Sequence, residues 1–264
     1  LILYNSYGSD PGALVANLAE KWPGKPVFLS EFGARQFGEE LGARIPGLDE
    51  RWHTLAGRPQ VIGTALWTFK GKGQFRATDW SSDGKFIAAG DGGTGLAHVI
   101  DAETGREVWQ HKLAPGTLAA AISKDANLVA FGSAKEVKIF SMPNGRLLKT
   151  FAAGSDVYEL TFSPDGSLLA AGENSGLVQA FGVKDGRLKW ERKTEGSQWG
   201  LSFSPDGKRL ASTGYDFALH LCEPKSGLEV FAVRDLPIQG FDVRFSPDGQ
   251  KLAYMGGSGQ TWVL

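Results

Sequence analysis

The chain has little of several things, and each shortage excludes something. It contains one cysteine, Cys222, so it has neither an intrachain disulfide nor a Cys-x-x-Cys metal site. It contains two methionines and begins at Leu1, without a signal-peptide pattern. It has no run of about 18 apolar residues, the length a membrane-spanning helix needs. Its charge is nearly balanced: 28 Lys+Arg against 29 Asp+Glu give a net charge of −1. That balance supplies no electrostatic case for nucleic acid or an anionic membrane as partner. What the chain has instead is core material and turns. Hydrophobic residues make up 42% of its 264 residues, and glycine contributes 36. The glycine share is about twice the usual one, and the length suits about two domains.

From residue 75 onward a repeat is legible. Ser-x-Asp-type turns place aspartates at Asp83, Asp125, Asp165, Asp206 and Asp248, with intervals of 42, 40, 41 and 42. A second marker, a glycine closing another turn, stands at Gly105, Gly145, Gly186 and Gly227. Its intervals are 40, 41 and 41. Two independent markers share one period. Ser163-Pro164-Asp165-Gly166 and its copies at 204–207 and 246–249 suit a type I turn. Each turn joins two short apolar strands. A third strand, such as Val137–Phe140 or Leu219–Cys222, and a fourth, such as Glu229–Val233, complete the repeat. Four strands in about 41 residues is the size of one propeller blade.

The third strand alternates. His98, Lys138, Gln179 and His220 stand seven residues before the marker glycines, flanked by apolar neighbours. They read as an outward polar row. Since Lys138 and Gln179 fill the place of the two histidines, no metal site is expected there. His111, on a fourth strand, is expected at the surface, and Cys222 in the core.

With Phe-Ser-Pro-Asp-Gly at 162–166, 203–207 and 245–249, residues 75–264 resemble the WD-repeat β-propellers. The name-giving Trp-Asp pair is replaced by Ile100-Asp101, Phe140-Ser141, Phe181-Gly182 and Cys222-Glu223. The expected fold is therefore mainly β: four blades and a three-stranded fifth, without the family's usual polar network. Cys222 plus 42 is 264, so the chain stops inside a third strand, and with the missing Met this reads as a piece of a longer protein.

Residues 1–70 differ. Asp10-Pro11 starts a predicted helix carrying Leu14, Val15, Leu18, Ala19 and Trp22 on one face. A second helix is predicted over 49–56. Val27–Ser30 and Val61–Phe69 read as buried parallel strands after a first strand holding Tyr4, Asn5 and Tyr7. Glu31 then lies at a strand end among aromatic residues, a combination that suits a sugar site.

The stretches Asn5-Ser6-Tyr7, Lys25–Ala34 and Gly63–Phe69 together resemble the retaining (β/α)8-barrel glycoside hydrolases of the β-galactosidase/β-glucuronidase type. The resemblance implies a partial TIM barrel, strands six to eight, with Glu31 as nucleophile. It further implies Asn5, Tyr7 and Trp67 as carbohydrate-binding residues and no cofactor. No residue matches the acid/base that retaining chemistry places about 5–5.5 Å from the nucleophile.

Two functional expectations follow. The first is a fragment of a retaining glycosidase carrying a propeller as binding module, inactive without its second carboxylate. The alternative is a non-enzymatic interaction scaffold that takes a protein partner, its first seventy residues vestigial or artificially joined near Lys70.

Overall fold

In the computed structural model the described residues are 75–116, 119–257 and 261–264, together with the backbone of three strands nearer the N-terminus. Side chains are described from Thr78 on. The chain divides into two compact units, Leu1–Lys72 and Gly73–Leu264.

In the first unit, β1 (Ile2–Tyr7), β2 (Val27–Gly33) and β3 (Val61–Leu66) form a parallel sheet in chain order. Parallel neighbours need crossover connections, and residues 8–26 and 34–60 separate these strands in the sequence. The two predicted helices and Trp67 lie outside the described residues.

In the second unit every regular element among the described residues is a strand. The first blade is β4 (Phe75–Trp80), β5 (Phe86–Asp91), β6 (Leu96–Asp101) and β7 (Glu107–Lys112), paired antiparallel in that order. The fourth is β14 (Gln198–Phe203), β15 (Leu210–Gly214), β16 (Leu219–Cys222) and β17 (Glu229–Val233). The fifth has three strands: β18 (Gly240–Phe245), β19 (Leu252–Gly256) and β20 (Thr261–Val263).

Blades two and three depart from separate four-stranded sheets. They share one six-stranded sheet through β8 (Ala119–Ile122), β9 (Leu128–Ser141), β10 (Leu147–Phe162), β11 (Leu168–Glu173), β12 (Leu177–Gly182) and β13 (Leu188–Lys193). The cause is local. The β9–β10 ladder passes from Glu136↔Ala152 to Ala134↔Asp156, so residues 153–155 bulge and the pairing resumes. One long strand thereby serves as the outer edge of blade two and the inner strand of blade three.

The turns form as the residues dictate. Gly166 N–H donates to the Ser163 carbonyl at 2.8 Å, closing the turn. The Ser163 hydroxyl donates to Asp165 at 2.6 Å and accepts the Leu168 N–H at 2.9 Å. The serine–aspartate bond recurs at Ser81, Ser123, Ser204 and Ser246. It holds each of these aspartates below the usual carboxylate range, the serine hydroxyl being the largest cause.

The core lies between blades. Phe131 and Phe140 pack with Val99 between blades one and two; Ile139 and Phe151 pack with Leu169 between two and three. Trp190 meets Leu201 and Leu210 between three and four, and Leu219 meets Val243 and Tyr254 between four and five.

Candidate functional site at the channel mouth

The innermost strands β4, β8, β10, β14 and β18 line a cavity of about 770 Å³. Two features define it, a ring of aromatic side chains and a knot of charge.

The aromatic ring comes from a recurring irregularity. Strand pairing skips one residue at Arg76, Tyr158, Trp199 and Phe241. Each stands five residues before a turn serine. A bulged residue loses its ladder partner and re-aims its side chain. Tyr158 and Trp199 come to 4.4 Å between ring centroids, and Phe241 meets Trp199 edge-on at 5.5 Å. Tyr215, from the β15–β16 turn, stacks on Trp199 at 5.5 Å and 13° and meets Phe241 at 5.8 Å. Tyr215 stays 39% exposed and Phe217, in the same turn, 41%.

The charge knot joins three blades. Arg244 of β18 donates to Glu159 of β10 at 2.9 Å, to Asp242 at 3.2 Å and to the Leu201 carbonyl of β14 at 3.0 Å. Asp79 of β4 accepts the Ile122 N–H at 2.7 Å. Burial raises Glu159 to about 8; Arg244 opposes this, while Asp242 and Asp79 add to it. Asp242, followed by Glu159, raises Arg244 above its ordinary range against the cost of burial. Burial also raises Asp79. These groups are surrounded by protein yet reach channel solvent, Arg244 with half of its side chain accessible.

A second polar system replaces the network expected to be missing. His98 pairs with Glu107 at 2.6 Å, Gln179 with Glu191 at 3.0 Å and His220 with Glu229 at 2.7 Å. His220 also meets Asp216 at 2.9 Å. The reading of this row as outward is corrected for two of its members: Gln179 and His220 are 6% and 7% exposed, and Arg192 of the preceding blade reaches the His220 ring. His111 is likewise no free surface residue. Its ring stacks on Phe140 at 4.8 Å, and Nε2 lies 2.7 Å from the Gly145 carbonyl. Burial raises the Cys222 thiol to about 11, as fits a core residue. Among the described residues no group of three or more His, Cys, Asp or Glu is placed to hold a metal ion.

Of the residues singled out near the N-terminus, Asn5 and Glu31 are register partners on β1 and β2, and Tyr7 pairs with Gly33. Trp67 lies outside the described residues. The channel-mouth aromatics were missed in the sequence, although their common distance from the turn serine is visible there.

The family model described as outer membrane protein assembly factor BamB matches residues 59–202, more than half of the chain. The chain belongs to this family. The WD domain, G-beta repeat model also matches, over residues 186–222. Neither matching model is a glycoside hydrolase. The BamB model takes in blades one to three and most of β14, the first strand of blade four, and the WD model runs from the marker Gly186 to Cys222. The BamB-family chain is thus a WD-repeat-like β-propeller over its second unit. A search of the curated proteins finds no match.

Proposed function

We propose that this BamB-family chain is a non-enzymatic interaction scaffold that binds a protein partner at the channel mouth. One observation carries the reading: Tyr158, Trp199, Tyr215 and Phe241, drawn from three blades, form one cluster beside an arginine at an open cavity. Aromatic and arginine side chains are the groups enriched at interface hot spots. Placing a photo-crosslinking residue at Tyr215, and separately at Leu147 on an outer strand, tests it. Crosslinking to one partner through position 215 only, weakened at least tenfold by Trp199→Ala, is the expected result. Equal labelling from both positions would overturn the reading.

A second reading concerns the first unit. The parallel order of β1, β2 and β3, with Asn5 opposite Glu31, is favourable to a glycosidase-derived segment. On that reading Glu31 is the nucleophile of a larger barrel and Asn5, Tyr7 and Trp67 line its sugar site. Aryl-glycoside turnover by a protein in which this segment is joined to the rest of a barrel, abolished by Glu31→Gln, would support it; equal activity in both would reject it.

A further inference from the structure

The β15–β16 turn of blade four holds an energetic contradiction. Three residues before the third-strand polar row, each of the first four blades has a residue in the left-handed region: Gly95 at φ 71°, Lys135 at 59°, Gly176 at 85° and Phe217 at 54°. The places are equivalent in hydrogen bonding as well as in spacing. The next loop donates Leu113 N–H to Gly95, Thr194 N–H to Gly176 and Leu236 N–H to Phe217, at 2.8–2.9 Å. Glycine takes this conformation without steric cost; a bulky aromatic does not. Phe217 offsets only part of that cost by burial, since it is 41% exposed. A strained and exposed aromatic beside an aromatic cluster points to a contact outside the chain.

The surroundings define the contact. Tyr215 and Phe217 flank Asp216 in one turn. On one side the loop holding Glu195 abuts them: Tyr215 N–H donates to the Ser197 carbonyl at 2.9 Å. On the other stands Asp235, next to the Leu236 that donates to Phe217. Glu195 and Asp235 are exposed and make no ion pair among the described residues. The nearby cations are engaged: Arg234 with Glu229, Lys193 with the Ser175 carbonyl. We infer that Tyr215 and Phe217 receive an arginine side chain on an extended segment of the partner protein. Its guanidinium stacks on the exposed rings while Glu195 and Asp235 accept its N–H groups. A planar, weakly hydrated cation suits both contacts better than a lysine ammonium. The inference rests on the scaffold reading above.

The test uses blocked peptides Ala-Ala-Xaa-Ala-Ala with arginine, lysine, leucine or glutamate at the centre, titrated into the full chain. The arginine peptide is expected to bind tightest and the glutamate peptide weakest. Phe217→Gly should weaken the arginine peptide about twofold to thirtyfold. The same variant should raise Tm by about 2–4 °C, since the strain is removed. Phe217→Leu, which keeps bulk but not the ring, should weaken binding without the gain in Tm. Leucine peptide binding as well as arginine peptide would overturn the cationic ligand and leave the scaffold reading standing. A lower Tm in Phe217→Gly would make Phe217 structural and overturn the inference, again without touching the crosslinking result at Tyr215.

Discussion

Trp190 of blade three lies flat against the backbone of Gly227 in blade four. A Cβ at Gly227 would come within 2.6 Å of the indole ring, whose Nε1 donates to the Pro224 carbonyl at 2.6 Å. Trp109 and Gly145 repeat the relationship two blades earlier, between blades one and two, at 2.9 Å. Gly145 and Gly227 thus each do two things: they turn the chain at positive φ, and they leave room for the outer-strand ring of the preceding blade.

Gly227→Ala should therefore cost more than about 2 kcal/mol, combining backbone strain with overpacking. Gly186→Ala should cost about 1 kcal/mol, because only the flexible Lys149 lies near, at 3.4 Å. Urea unfolding of both variants checks the difference; equal losses would reject the part assigned to Trp190.

Ala126 holds the left-handed turn position, φ 56°, that glycine fills in the other four Ser-x-Asp turns. A Cβ at Gly84 or Gly166 would meet nothing within 4 Å, so conformation alone matters there. Ala126→Gly should stabilise by about 0.5–1 kcal/mol, and Gly166→Ala should destabilise by a similar amount. Thermal denaturation of the pair provides the measurement.

His220 sits between Asp216 and Glu229, with Arg192 donating to Glu229. His220→Leu removes the group between two carboxylates in a covered site. The expected loss is about 2–4 kcal/mol, read by denaturant unfolding. A loss below about 1 kcal/mol would mean that water replaces the imidazole.

Two carboxylates should shift stability with pH in opposite directions. Burial raises Glu229, but Arg234, His220 and Arg192 outweigh it and hold the group at about 2. Its contribution is complete above the unfolded value near about 4.3 and is lost as pH falls through 2. Glu159, raised to about 8 by burial, contributes fully below about 4.3 and loses that contribution as pH rises through 8. Glu159→Gln should therefore gain on the natural chain between pH 5 and pH 9, and Glu229→Gln should lose less relative to it at pH 2 than at pH 6. Stability curves across that range check both signs.

Much of the propeller was legible because turns are local. Asp165 and Gly166 act on residues within five positions, so their chemistry repeats with the period. The four-strand order and the limits of β16 and β17 followed from it. The polar row was legible as a row, but the burial of Gln179 and His220 was not; His220 meets Arg192 of the preceding blade, 28 positions away. The fused β9 and β10 were hidden for a related reason: whether pairing resumes after Ala152 depends on where Ala134 lies across the sheet.

The sequence alone determined the period, the turn types, the alternation of apolar faces and the blade count. These depend on residues a few positions apart, where backbone sterics and short hydrogen bonds decide the outcome. Only the tertiary structure decided that Trp199 meets Tyr158 and stacks on Tyr215, that Arg244 joins Glu159 across 85 positions, and that Gly145 and Gly227 make room for Trp109 and Trp190. Those contacts bring together residues about 16 to 85 positions apart, and packing between blades, not local preference, sets their distances.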